Sequence, residues 1–196
     1  YSAAMEPSHE PCAIRAACGG CALMDRDAEA QLAIKAGHIE RAVGRAPDTV
    51  VPSPRALGYR ARIRLAVDKA GQLCYHRPRS HEQVPIPLCA IARPEVNEAL
   101  ARFRALVPDA RGLKDVELRS DGQRVVYAAR SARRRRPPPL DGVPDLALNG
   151  RAVSGDVWLS MEVAGIRHRL SPASFYQVNL EANALLVAAV VEEALA

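Results

Sequence analysis

The chain has 196 residues and a mass of 21.2 kDa, enough for one domain or two small ones. Its formal net charge of +5 and isoelectric point of about 9.2 favour a polyanionic partner without identifying one. No segment approaches the roughly 20 apolar residues of a membrane span, and residues 1–10 lack the pattern of a signal peptide. We therefore expect a cytoplasmic monomer that does not bind membranes.

The first predicted element is a helix over the sequence DAEAQLAIKAGHIERAV. Asp25 or Asp27 can cap its first turn with a side-chain oxygen, and Gly44 can end it. Its apolar residues follow helical spacing only in part: Leu32, Ile39 and Val43.

An alternating segment from Tyr59 to Val67 predicts a half-buried strand. One face would carry Tyr59, Ala61, Ile63, Leu65 and Val67, and the other Arg60, Arg62, Arg64 and Ala66. A turn at residues 68–71 leads into a second predicted strand, Gln72–His76. The segment VPIPLC, which ends at Cys89, is expected to stay outside the sheet because of its two prolines.

The later elements are a helix, two hairpins and a second helix. After Pro94 the apolar residues Val96, Leu100, Phe103 and Val107 follow helical spacing.

Hairpins are predicted for Asp115–Arg119 with Arg124–Arg130, and for about Asp156–Val163 with Ile166–Leu170, because Asp-Gly and Ala-Gly turns separate these segments. The run Arg133–Arg136 before Pro137–Pro139 is typical of an exposed loop. The last element, Val178 to Leu195, is apolar enough that we expect its packing partner to lie beyond residue 196.

These elements predict an α+β fold: an antiparallel β-rich central domain with flanking helices and a cysteine-rich loop. The cysteines are the most informative feature of that loop. Cys12, Cys18 and Cys21 are spaced C-x5-C-x2-C around Gly19-Gly20. Thiolates so close together can converge on an iron–sulfur cluster or a zinc ion, with distant Cys89 as the fourth ligand.

Alternatives remain open at this point. Zinc sites commonly use four thiolates, although this five-residue gap is longer than the usual zinc-ribbon spacing. The three cysteines could also be ordinary ones, and they do not match the C-x3-C-x2-C spacing of radical S-adenosylmethionine enzymes. Cys74 lies in a predicted strand and is better explained as a small buried residue.

Basic residues follow the alternating segment. Arg60, Arg62 and Arg64 share one strand face, and Arg77 and Arg79 come soon after. Guanidinium groups bind phosphates and stack on unpaired bases, so we expect RNA contact here. A solvated sheet face would give the same pattern.

Four blocks occur in order: Cys12–Cys21 with its Cys-Gly-Gly-Cys, GYRARIRL, HRPRSHEQVPIPLC and SPASFYQVN. Together they resemble the bacterial RNA 5-methyluridine methyltransferase family of the RumA/TrmA type, over essentially the whole chain. The resemblance implies that Cys12, Cys18, Cys21 and Cys89 bind a [4Fe–4S] cluster. It also implies that Gln177 contacts S-adenosylmethionine, while Phe175 walls the pocket or stacks on a base. Without the resemblance, FYQVN would indicate only the entrance to a helix.

The implied activity is S-adenosylmethionine-dependent methylation of uracil C5 in 23S rRNA or tRNA. In such chemistry a cysteine thiolate adds to C6 of an extruded uracil, and a general base later removes the C5 proton. The family carries both groups in a C-terminal Rossmann-like domain, and no cysteine follows Cys89. We therefore expect this chain to be inactive alone, with RNA and that methyltransferase domain as its partners.

The implied organisation has four parts: residues 1–24 as the cluster-binding loop, 25–57 as helix and linker, 58–170 as the RNA-binding domain, and 171–196 as the start of the methyltransferase domain. A different class of function would also fit the residues. The chain could be a stand-alone RNA-binding module that a zinc ion or a cluster stabilises, without catalysis.

Overall fold

The computed structural model describes residues 12–132 and 135–195. Its helices are α1 (Ala28–Val43), α2 (Pro94–Leu106) and α3 (Leu180–Leu195). Its strands are β1 (Arg62–Val67), β2 (Leu73–His76), β3 (Gln83–Pro85), β4 (Leu113–Ser120), β5 (Val125–Ser131), β6 (Leu146–Leu148), β7 (Arg151–Ser154), β8 (Leu159–Val163) and β9 (Ile166–Leu170).

Seven strands form one sheet in the order β3-β2-β1-β4-β5-β6-β7, and β8 and β9 form a separate hairpin. Every neighbouring pair in the sheet is antiparallel except β5 and β6, which run parallel. The α+β prediction is therefore confirmed, with one parallel pair as the exception to its antiparallel character. None of the helices in the described ranges is both long and apolar enough to cross a membrane.

The alternation predicted for β1 is confirmed in the core. Ile63 and Leu65 are fully buried, whereas Arg64 between them is exposed. The strand begins at Arg62 rather than at Tyr59. Arg60 makes isolated bridges to Ala92 and Asn179 instead of continuing the ladder.

Helix α2 supplies the other half of the main core. Val96, Leu100 and Phe103 are completely buried on it, as their spacing predicted. The Phe103 ring stacks on Tyr127 of β5 at 5.9 Å between centroids, and the Tyr127 hydroxyl donates to the Ala99 carbonyl at 3.2 Å. Each such side chain contributes about 1.5–3 kcal/mol through burial, so this helix is firmly fixed to the sheet.

Helices α1 and α3 have no buried residues, and α1 begins and ends as predicted. Asp27 caps α1 by accepting from the Ala30 N–H at 2.7 Å, and Gly44 ends it with φ of 79°. Helix α3 begins at Leu180, two residues later than predicted, because the Asn179 side chain accepts from the Ala182 N–H at 3.0 Å as a capping residue does.

Three strands were not predicted. The expectation that VPIPLC stays outside the sheet is wrong for its first residues, since Val84 and Pro85 pair with β2. Proline is tolerated there because β3 is an edge strand. Strands β6 and β7 are joined at Asn149-Gly150, whose φ values of 52° and 82° suit a tight hairpin turn.

The exposed loop predicted for Arg133–Arg136 is described only in part. Arg133 and Arg134 lie outside the described residues, and Arg135 and Arg136 are exposed.

Candidate metal centre

Four cysteines line one small cavity of about 50 Å³: Cys12, Cys18, Cys21 and Cys89. A buried water needs roughly 10–15 Å³, so the cavity has room for several water-sized groups. The structure thus brings together the four cysteines that were predicted to act together. Cys74 does not line this cavity.

Within residues 12–132 and 135–195, no three cysteine, histidine, aspartate or glutamate side chains form a group that could hold a metal ion as they stand. The cysteines therefore share a cavity without being gathered into a finished coordination site. Metal binding by them stays a prediction.

The cysteine loop is attached to the sheet through its backbone. Gly19 donates its N–H to the His76 carbonyl at the end of β2, at 2.8 Å. A Cβ on Gly19 would stand 3.0 Å from both that oxygen and the Pro78 nitrogen, so a side chain has no room. Next to it, the Gly20 N–H points at the Cys18 sulfur at 3.4 Å.

Cys89 is held from the core side. The Asn97 side chain on α2 accepts from the Cys89 N–H at 2.9 Å and donates to the Cys89 carbonyl at 3.0 Å. The Tyr75 hydroxyl of β2 lies 3.9 Å from the Cys89 sulfur. Nothing in the local sequence around Asn97 indicates this role, which depends on the packing of α2 beside the loop.

The cavity disfavours the charged form of the Cys21 thiol. Burial raises the pKa of the Cys21 thiol above its ordinary value, and the other cysteines raise it further, led by Cys89. Arg60 acts in the opposite direction. Burial chiefly raises the pKa of Tyr75, with Cys89 adding to it. A metal group bound by Cys21 would therefore displace the proton from its sulfur.

Two arginines, Arg15 and Arg60, also line the cavity. The Nε atom of each is buried without a hydrogen-bond partner among the described residues. The alternating pattern placed Arg60 with Arg62 and Arg64 on a basic strand face. The structure instead gives it a place in the wall of the cysteine cavity.

The other arginines of the predicted stripe have separate surroundings. Arg64 pairs with the buried carboxylate of Glu117 at 2.6 Å. Arg62 is half-buried, with its guanidinium 5.9 Å from the centre of the Phe175 ring. Burial lowers the pKa of Arg62, and the Glu117 carboxylate opposes that shift. One continuous free basic face is therefore not present on this part of β1.

Arg77 and Arg79 follow β2 on the surface. Arg77 pairs with Glu82 at 2.7 Å. Arg79 is exposed, has a positive φ of 53°, and makes no ion pair within the described part of the chain.

A second concave surface was not predicted. It is a cleft of about 670 Å³ beside β1, β2 and β4. Its cationic lining residues are Arg64, Lys69, Arg111, Lys114 and Arg135. They come from three separate segments, so no single sequence pattern reveals the cleft. One of its carboxylates, Asp115, is already paired with Arg130 at 2.7 Å.

Cys74 lines this cleft rather than the cysteine cavity. Its sulfur lies 3.6 Å from Asp68 Oδ2 and 3.4 Å from the Gln72 carbonyl. Burial, reinforced by Asp68, raises the pKa of Cys74 to about 12. A thiol of that kind is a poor nucleophile near neutral pH.

Gln177 and Phe175 lie on the segment between β9 and α3, and both are exposed. This segment is tied to the start of β1, because the Ala61 N–H donates to the Val178 carbonyl at 2.7 Å. The structure therefore places both residues at the surface, with Phe175 beside Arg62.

No protein-family model matches the chain. Curated proteins do match about half of it. The tRNA (uracil(54)-C(5))-methyltransferase of Pyrococcus horikoshii is 33% identical over 100 residues, which are 51% of this chain and 24% of that protein. The tRNA (uracil(54)-C(5))-methyltransferase of Pyrococcus abyssi is 33% identical over 92 residues, which are 47% of this chain and 22% of that protein. The 23S rRNA (uracil(1939)-C(5))-methyltransferase RlmD of Dechloromonas aromatica is 37% identical over 109 residues, which are 50% of this chain and 25% of that protein.

Among solved structures, the crystal structure of the Pyrococcus abyssi tRNA (uracil-54, C5)-methyltransferase in complex with S-adenosyl-L-homocysteine matches with a TM-score of 0.68. The match covers 92% of this chain and 51% of that one at 23% identity, which supports the fold alone. The resemblance predicted from the four sequence blocks is confirmed, since the homologues are RNA uracil-C5 methyltransferases. The matches span about a quarter of each curated relative's length.

Proposed function

We propose that this relative of RNA uracil-C5 methyltransferases is the iron–sulfur and RNA-binding part of an S-adenosylmethionine-dependent enzyme that methylates uracil C5 in 23S rRNA or tRNA. The observation that carries the proposal is the single cavity shared by Cys12, Cys18, Cys21 and Cys89. Three clustered cysteines and a distant fourth line it, in a chain whose homologues are RNA uracil-C5 methyltransferases.

The donor set of the cavity suits a [4Fe–4S] cluster. Four cysteines line this one space, and a backbone N–H already points at the Cys18 sulfur. Sulfur ligands and N–H donors to them are the usual surroundings of such clusters. When bound, the group would fasten residues 12–24 to the sheet and to the loop of Cys89. Methyl transfer moves no net electrons, so we assign it a structural role.

RNA binding is proposed for the residues 58–170, which carry both the predicted arginines and the cationic cleft. Away from the cysteine cavity, Arg62 and Arg79 are the predicted arginines without an ion pair in the described ranges, so they are the first candidates for phosphate contact. The cleft adds Lys69 and Lys114. Cations grouped on a concave surface attract a phosphate backbone, and this attraction weakens with salt.

The segment 171–196 is proposed to contribute to the methyltransferase site. The structural relative contains S-adenosyl-L-homocysteine, and the resemblance assigns the S-adenosylmethionine contact to Gln177. An amide both donates and accepts hydrogen bonds, so it can orient a cofactor. Phe175, with 73% of its surface exposed beside Arg62, offers a ring for a pocket wall or a base.

The methylating nucleophile is proposed to lie outside this chain. Four of its five cysteines line the candidate metal cavity, and the fifth, Cys74, has a pKa raised to about 12. We accordingly expect no methyl transfer from the chain alone when it is given S-adenosylmethionine and RNA. Turnover under those conditions would contradict this assignment.

The metal content is the direct test of the cluster. The chain is purified without oxygen, and its iron, sulfide and zinc are measured together with its visible absorbance. We expect a brown protein with about four iron and four sulfide per chain. Alanine at Cys12, Cys18, Cys21 or Cys89 should abolish the iron, whereas Cys74→Ala should retain it. A colourless protein with one zinc per chain would refute the cluster.

RNA binding is tested by titration with tRNA and with 23S rRNA fragments at several salt concentrations. The Lys69→Glu and Lys114→Glu variants should bind more weakly and with a smaller salt dependence. Lys35→Glu on α1 changes the net charge equally but does not line the cleft. Equal weakening by all three variants would mean that overall charge, rather than the cleft, governs binding.

A further inference from the structure

Arg15 and Arg60 approach the cysteine cavity from different segments. Arg15 lies between Cys12 and Cys18 in the loop, and Arg60 precedes β1. Both side chains line the cavity, and in both the Nε atom is buried with no hydrogen-bond partner in the ranges that the structure describes. A buried charged donor without a partner is costly to folding, so its retention points to a ligand.

Arg15 is held through its side chain and Arg60 through its backbone, and the Nε atom of each is left unused. Arg15 donates from Nη2 to Asp25 Oδ1 at 3.1 Å and to the Ala22 carbonyl at 3.3 Å. Arg60 is held through its backbone, because its N–H donates to the Ile91 carbonyl at 2.7 Å and its carbonyl accepts from Arg93 at 2.9 Å. The Arg15 guanidinium is therefore held by its own side-chain contacts, whereas Arg60 is fixed at its backbone.

The chemistry that would satisfy both groups is an anion with acceptor atoms inside the cavity. The sulfurs of a cluster bound by four thiolates carry net negative charge and accept N–H hydrogen bonds. Two unpartnered cationic donors therefore suit a negatively charged cluster better than an apolar or neutral occupant of the cavity.

We propose that Arg15 and Arg60 are the cationic partners of the cluster, each donating its Nε–H to a sulfur atom and so favouring the reduced form. The inference depends on the proposed function, because it presupposes the cluster. Net charge and hydrogen bonds to the sulfurs set the reduction potential of an iron–sulfur centre. Removal of either guanidinium should therefore make the cluster harder to reduce.

The test uses the full chain, purified without oxygen, in the variants Arg15→Gln and Arg60→Gln. Iron and sulfide are measured first, and the midpoint potential is then obtained from a redox titration followed by electron paramagnetic resonance. We expect each variant to lower the reduced-to-oxidised ratio about tenfold at a fixed potential, which is about 59 mV for one electron. Arg60→Lys, which keeps the charge but lacks the Nε–H, should fall between Arg60→Gln and the wild type.

Two controls separate the proposed contact from general loop damage. Arg26→Gln and Arg45→Gln each remove an exposed guanidinium that does not line the cavity. Both should keep the wild-type potential. If a glutamine variant releases its cluster too early for titration, the rate of iron loss to a chelator is compared instead. Faster loss than in both controls supports the proposal, and equal loss overturns it.

The outcomes also separate this inference from the proposed function. A wild-type chain without iron contradicts the cluster and, with it, the inference. A wild-type chain with iron, whose glutamine variants keep both the potential and the rate of iron loss, leaves the cluster standing and refutes the role of the two arginines.

Discussion

Asn97 holds Cys89 by both of its backbone groups, through an accepted hydrogen bond of 2.9 Å and a donated one of 3.0 Å. Because Asn97 stands on α2, which packs in the main core, the most firmly fixed helix of the fold positions the last of the four cysteines. The cavity therefore depends on a residue that is neither a cysteine nor a neighbour of one in sequence.

The substitution Asn97→Asp should weaken the hold on Cys89. The new carboxylate could still accept from the Cys89 N–H. Its second oxygen would replace the amide donor and face the Cys89 carbonyl oxygen, which would lose its hydrogen bond. We expect a loss of about 1–3 kcal/mol in the free energy of unfolding, together with less iron per chain. Both are measured by denaturant unfolding and metal analysis. Exposed Glu98→Gln, one residue along α2, is the matched control and should change neither.

Two adjacent glycines of the cysteine loop should respond differently to alanine. A Cβ on Gly19 would meet the His76 carbonyl and the Pro78 nitrogen at 3.0 Å, whereas a Cβ on Gly20 would meet only the Cys18 sulfur at 3.4 Å. Gly19→Ala must push the loop away from β2, so we expect roughly 1–3 kcal/mol of destabilisation and a lower iron content. Gly20→Ala should change the free energy of unfolding and the iron content less than Gly19→Ala does. Equal effects in thermal unfolding would show that the approach of the loop to β2 is not tight.

Cys74 should resist alkylation in the folded protein. Its pKa is raised to about 12, so at pH 9 only about one molecule in a thousand carries the reactive thiolate, against about half for an ordinary thiol. Iodoacetamide labelling, with each cysteine followed by peptide mass spectrometry, should modify Cys74 much more slowly in the native chain than in urea. Rapid native labelling would contradict its burial.

The same shift has a consequence for stability. Below about pH 9 the Cys74 thiol is protonated in both the folded and the unfolded chain, and its contribution to stability is fully present. Above about pH 9 the unfolded chain loses this proton more readily than the folded one. The contribution of Cys74 should then decline between about pH 9 and pH 12. In Cys74→Ala, which has no thiol to titrate, the free energy of unfolding should fall less steeply over this range than in the wild type.

Ala164 offers a stabilising substitution. It has a φ of 50° in the two-residue turn between β8 and β9, followed by Gly165 at 75°. Left-handed backbone costs an alanine roughly 1–2 kcal/mol, and Asn-Gly is the preferred pair for such turns. We expect Ala164→Asn to raise the free energy of unfolding by up to about 1 kcal/mol. Ala173→Asn, at an exposed alanine without a positive φ, should give no gain.

Much of the fold follows from local patterns. Strand β1, helix α2 and the hairpin of β4 and β5 were predicted because alternation, helical spacing and an Asp-Gly turn are properties of neighbouring residues. Strands β6 and β7 were overlooked because they have only three and four residues in a stretch rich in proline and glycine. Their turn, Asn149-Gly150, is the signal that could have revealed them.

The four cysteines of the candidate site could be predicted from the sequence, but the residues around them could not. Three crowded cysteines and a distant fourth can be recognised from spacing, and the structure brings all four to one cavity. Asn97 and Arg60 could not be recognised in this way. The role of Asn97 depends on how α2 packs, and strand alternation assigned Arg60 to a solvent-facing stripe because it could not show that the ladder begins only at Arg62.

The separation of Cys89 and Asn97 from the first three cysteines also sets an order of events during synthesis. Cys12, Cys18 and Cys21 leave the ribosome first, in a loop whose anchor on β2 has not yet been made. The cavity cannot close until translation has passed Asn97 and α2 has docked on the sheet. For that interval the three early thiols are open to oxidation, so the yield of intact protein should depend on how reducing the cell is while the chain is being made.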